Sequence, residues 1–155
     1  MFGKDPFSKL GLASLIDPAV LAADNTPVIL DLSDYRAAMI ALSIGVGGIT
    51  FTAGNRVDFV LRHGDAVAGS PPTFAQMTPV GAADLRLGAL APATITNGII
   101  RSLEAAHASP TVQRVGYIGP RRYIGLLADF SGTHATGTAI SAAAILTAPR
   151  LMPVA

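Results

Sequence analysis

Over residues 56–63, Val57, Phe59 and Leu61 fall on one side of an extended backbone. Asp58 and Arg62 fall on the other, with Val60 between them. A period of two commits this segment to a β-strand with one buried face. Comparable segments recur along the chain, each closed by turn-forming residues. Residues 28–32 end at Ser33-Asp34, residues 35–46 run into Gly45, Gly47 and Gly48, and residues 138–147 stop before Pro149. Residues 111–118, the turn Gly119-Pro120 and residues 121–130 read as an antiparallel hairpin. Residues 73–80 and 94–103 add two further strands, and Gly64-Asp65 with Gly69-Ser70-Pro71-Pro72 bounds a long surface loop. Seven or so short strands at this spacing predict an all-β fold, an antiparallel β-sandwich or barrel-like domain. No regular alternation with helical patterns supports a parallel α/β sheet.

Two of these segments are apolar on both faces. In residues 35–46, Ala37, Met39, Ala41 and Ser43 alternate with Ala38, Ile40, Leu42 and Ile44; residues 138–147 are rich in Ala and Ile. Periodicity alone leaves a buried strand and a buried helix open for such runs, and the flanking glycines favour strand in the first. Residues 1–27 differ in kind. Phe2, Phe7, Leu10, Leu12, Leu15, Ile16 and Leu21 are interrupted by Pro6, Pro18 and Pro27 without a sustained period. They read as an N-terminal arm with at most one helical turn, leaving residues 28–155 as the β-sandwich domain.

Composition narrows the function. Half of the 155 residues are hydrophobic and only 14% are charged, against about 25% in an ordinary soluble domain. A monomer of that composition exposes apolar surface, so it fits a protein that lives in an assembly. A net charge of +1 with scattered basic residues leaves no footprint for nucleic acid. The apolar runs are too short to cross a membrane, and residues 10–16 are broken by Asp17-Pro18 before any convincing leader cleavage site. With no cysteine, disulfides and thiolate metal sites are excluded.

The polar candidates for chemistry are weak. His63 with Asp65 puts two metal-ligating types on one strand face, but no other histidine is spaced to complete a set. Asp129, Ser131 and His134 have the residue types of a hydrolytic triad, yet they crowd into six positions, whereas triad members meet from separate segments. Gly45-Val46-Gly47-Gly48 lacks the Lys-Ser/Thr ending of a phosphate loop. Arg121-Arg122-Tyr123 offers cations beside an aromatic ring, but adjacent strand residues point to opposite faces, so one of the two arginines is expected to pack its stem on the sheet or pair with a carboxylate. These features assign no catalytic residue, metal or cofactor, and the chain reads as non-enzymatic.

Several segments combine into a known pattern. Ile29–Tyr35 followed by Met39–Gly45, then Val57–Asp65, then Val115–Ile124 with its Gly-Tyr-x-Gly-Pro-Arg-Arg-Tyr core, then Ala144-Ile145-Leu146 and Pro149-Arg150, resemble in order and spacing the decoration (cement) and minor head proteins of tailed double-stranded DNA bacteriophages. The resemblance covers residues 28–155. Gly125 departs from it, standing where such proteins often carry a further Arg. It implies a structural virion protein on the outer capsid surface, made in the host cytoplasm, that binds the major capsid protein lattice as a homotrimer and stabilises the head. Phe2, Phe7, Leu10, Leu12 and Leu15 of the arm, with Leu151, Met152 and Pro153 of the tail, are then the expected capsid or subunit contacts. Removal of residues 1–20 is expected to abolish head binding and leave the domain folded. The rival readings are a head–tail connector or tail subunit, and a carbohydrate-binding β module for host adhesion. The last is poorly supplied, with no Trp and three Tyr.

Overall fold

The computed structural model describes residues 9–150. Among the described residues ten strands follow one another: β1 (Gly11–Leu21), β2 (Ile29–Asp31), β3 (Tyr35–Ile44), β4 (Arg56–Gly64), β5 (Thr78–Pro79), β6 (Leu85–Leu87), β7 (Ile99–Leu103), β8 (Thr111–Tyr117), β9 (Tyr123–Ser131) and β10 (Thr138–Pro149). They form two five-stranded antiparallel sheets that pack as a β-sandwich and do not close into a barrel. The first sheet runs β1-β10-β3-β8-β6. The second runs β2-β9-β4, with β5 and β7 sharing the far edge of β4.

The core lies between the sheets and is built by the alternation visible in the sequence. Val57, Phe59 and Leu61 of β4 and Ile124, Leu126 and Ala128 of β9 face Ile40, Leu42 and Ile44 of β3, Ile140, Ala142 and Ala144 of β10, and Val115 of β8. Ala142 and Ala144 sit opposite Leu42 and Ile40, so small residues on β10 make room for large ones on β3. Gly98 is needed beside this core. Its φ is +75°, and a Cβ there would run into the Leu61 carbonyl oxygen. The Gly98 carbonyl accepts the Leu61 N–H at 2.9 Å where the β4–β7 register shifts.

Three expectations are corrected. The segment expected as an arm is, over Gly11–Leu21, an edge strand of the first sheet, paired with β10 from Gly11↔Leu146 to Leu21↔Thr138. Register shifts between Ser14 and Ile16 and between Ile16 and Ala19 break its alternation, and Pro18 sits in the second of them, where its missing N–H leaves no ladder bond unmade. Strands β8 and β9 are not a hairpin: β8 pairs with β3 and β6, β9 with β2 and β4, and the chain arches between the sheets. The arch folds over the ring of Tyr117, against which Gly119 sits too closely for a Cβ, and Arg121 N–H donates to the Tyr117 hydroxyl at 3.2 Å. Residues 73–80 hold a 3₁₀ turn, Phe74–Gln76, and only the two-residue β5.

Candidate interaction surfaces

The β-strand period that fills the core also fixes what the first sheet shows to the outside. On its two central strands the outward positions are Ala139, Ser141, Ala143, Ile145 and Thr147 of β10 and Ala37, Met39, Ala41 and Ser43 of β3. None is charged, and most are Ala, Ser or Thr. Register extends these into rows across the sheet. Leu12 of β1 lies beside Ile145, Ile145 beside Met39, and Met39 beside Gly116 of β8. A second row runs from Ser14 through Ala143 and Ala41 to Arg114. Leu12, Val20 and Val112 stand at the margins of this face at 77%, 70% and 68% exposure. Its charges are also marginal, with Arg114 and Arg86 on the β8–β6 side and Asp17 on β1. The result is a broad face of small neutral side chains. Such residues have few rotamers to lose, so covering them costs little side-chain entropy.

The expected contact residues divide between surface and core. Leu12 is on the outer face and Leu10 is 41% exposed. Leu15 corrects the expectation: it shares the inward side of β1 with Gly11 and Ala13, is fully enclosed in the domain's own core, and is unavailable to a neighbour. Phe2, Phe7, Leu151, Met152 and Pro153 lie outside the described residues. Met39, Ala41, Ala143 and Ile145 were not singled out. The signal that marks them is the two-sided apolar character of β3 and β10.

A polar network occupies one end of the sandwich. His63 on β4 and Tyr117 on β8 reach across the interior, with His63 Nδ1 2.9 Å from the Tyr117 hydroxyl and the rings edge to face. The same hydroxyl accepts from Arg121 N–H and lies 3.4 Å from the Arg121 carbonyl oxygen, while His63 Nε2 lies 3.9 Å from Asp84. Burial pushes the His63 imidazole below its ordinary value, against the opposing pull of Asp84, and pushes the Tyr117 phenol up to about 12. An Asp-His-Tyr arrangement has the residue types of a proton relay, but Tyr117 has no exposed surface. It joins the two sheets.

The outer end of the same network is exposed. Arg121 Nη1 donates to Asp65 at 2.6 Å, and Asp65 also accepts Arg122 N–H at 3.1 Å. The Arg122 guanidinium donates twice to Asp31, at 2.8 and 2.7 Å, and lies 5.0 Å from the centre of the Tyr123 ring. Each arginine thus takes a carboxylate, and the hydrogen bond from each holds its Asp below the ordinary carboxylate value. Asp65 is therefore spent on Arg121, not on a metal shared with His63. Among the described residues no cluster of three metal-ligating side chains occurs. His134 Nε2 lies 2.9 Å from the carbonyl oxygen of Ser131, so the ring is engaged with backbone and not with the Ser131 hydroxyl. Gly48 of the glycine-rich turn packs against the Gly137 and Thr136 carbonyls, which closes that turn to a phosphate.

No family model, no curated protein and no solved structure matches this chain.

Proposed function

We propose that this chain is a structural virion protein that decorates and stabilises the head of a tailed bacteriophage, bound as a trimer to the major capsid protein lattice. The observation that carries the reading is the uncharged outer face of the first sheet, centred on Met39, Ala41, Ala143 and Ile145. A protein that clamps a shell against internal pressure needs rigid sheet and wide, dry contact, and this face offers both. It also accounts for the low charge of the chain: the outer rows of β3 and β10 hold small neutral residues where a solvated sheet would carry charged ones. The resemblance in ordered motifs over residues 28–155 supplies the capsid and the trimer. Its central segment, Val115–Ile124, is the arch that ties β8 to β9 through Tyr117 and the two arginines.

The test is the copy number and position of the chain in purified particles, by quantitative mass spectrometry followed by electron cryomicroscopy. Many copies in threefold-related clusters on the outer shell support the reading. A few copies at a vertex or on the tail replace it with a connector or tail subunit. Absence from particles removes it.

A further inference from the structure

Four of the nine arginines of the chain, Arg36, Arg121, Arg122 and Arg150, line one cleft of about 460 Å³ at the end of the sandwich. They come from three separate segments, and the fold brings them together. The β3–β10 ladder ends at the pair Tyr35↔Pro149, which brings Arg36 and Arg150 to the same end of the sheet, and Arg150 N–H donates to the Asp34 carbonyl at 2.8 Å. The arch supplies Arg121 and Arg122, each already held by a carboxylate. Among the described residues no carboxylate lies within ion-pairing reach of Arg36 or Arg150.

We propose that this cleft binds a carboxylate side chain on an acidic peptide segment of a partner protein, gripped by Arg36 and Arg150 beside the fixed Arg121. A guanidinium fork matches a carboxylate through paired N–H donors, and fixed neighbours lower the entropy cost of the grip. Leu32, Tyr35 and Pro120 line the same cleft and provide an apolar floor for the peptide's methylenes. A phosphate or nucleic-acid backbone fits less well. Asp31, Asp34 and Asp65 stand close by, so four guanidiniums face three carboxylates and leave one net positive charge, enough for a single carboxylate and little for a dianion. The site stands apart from the outer face of the first sheet, and the proposal holds whether or not that face docks on a capsid.

The experiment uses the isolated full chain and follows arginine Nε–Hε resonances by NMR at low salt. The probes are a capped tetraglutamate peptide, a capped tetraglutamine peptide and inorganic phosphate. Saturable shifts of Arg36 and Arg150 with tetraglutamate alone, with Arg56 and Arg62 unmoved, are expected. Affinity should fall about tenfold for each guanidinium removed in Arg36→Gln and Arg150→Gln. Both side chains are exposed, so these variants keep the fold. No saturable shift, an equal response to phosphate or to tetraglutamine, or undiminished binding by the double variant would each overturn the proposal.

Discussion

The side chain of Asn25 takes the place of a strand beside Ala128. Its Oδ1 accepts the Ala128 N–H at 2.7 Å, and its Nδ2 donates to the Leu126 carbonyl at 3.3 Å. Asp24 continues the substitution by accepting Phe130 N–H at 2.7 Å. Strand β2 covers β9 only from Tyr123 to Gly125, so these two side chains close the edge where the backbone ladder runs out. An open edge there would offer a template for another chain.

Asn25→Ala therefore removes both a donor and an acceptor from a part-buried edge. The expected cost is about 1–3 kcal/mol in urea unfolding, with faster hydrogen exchange at Ala128 and an added tendency to aggregate. Unchanged exchange at Ala128 would show that water replaces the side chain without loss.

What the sequence disclosed depends on how each residue is used. Strand β4 was legible because it alternates around a buried face, while β3, β8, β9 and β10 were marked chiefly by the Gly, Pro or Ser-Gly residues that end them. Strand β1 was not, because the register shift after Ser14 brings Ile16 inward directly behind Leu15, and a second shift after Ile16 erases the rest of the period. The β8–β9 arch imitates a hairpin, since Gly119-Pro120 has hairpin chemistry, and only the contact of Tyr117 with His63 across the core reveals the crossing. The outer face was half legible. Apolar residues on both sides of β3 and β10 signalled two-sided burial, but one of those sides has no cover in the single chain.

The His63–Tyr117 bond makes stability depend on pH in a defined window. The folded imidazole is held below its ordinary value of 6.5, so the unfolded chain takes up a proton first as the solution is acidified. The contribution is complete above about pH 6.5 and is lost progressively as pH falls below it. Asp31 and Asp65, also held below their ordinary value of 3.8, act only in more acid solution, as pH falls below that value. The urea midpoint should therefore decline between pH 7.5 and pH 5, and His63→Gln should flatten that decline. A wild-type midpoint constant over this range would contradict the buried, neutral histidine.

Ala143→Glu tests the outer face without touching the core. Ala143 sits between Ser14 and Ala41 in the middle of the neutral rows. A glutamate there points to solvent in the free protein and should shift stability by no more than about 0.5–1 kcal/mol. Against a dry partner the same charge is desolvated without a counter-ion. Thermal unfolding should be nearly unchanged, while co-sedimentation of the variant with particles lacking the protein should be lost. Co-sedimentation at the wild-type level would remove this face from the contact.

Leu12 and Leu15, three residues apart on β1, separate contact from folding. Leu15 has no exposed surface, so Leu15→Ala should cost about 2–5 kcal/mol through lost burial and the cavity left behind. Leu12 projects beside Ile145 on the outer face, so Leu12→Ser should leave the urea midpoint within about 0.5 kcal/mol and weaken attachment instead. Removal of residues 1–20 is then not a neutral test of an arm, because it strips the first sheet of nearly all of β1, including Leu15 and Ile16, and uncovers the edge of β10. The truncated chain should unfold at lower urea and expose apolar surface to a hydrophobic dye. A truncated domain as stable as the whole would mean that β1 adds little to the sandwich, and the contacts of Leu15 would have to be revalued with it.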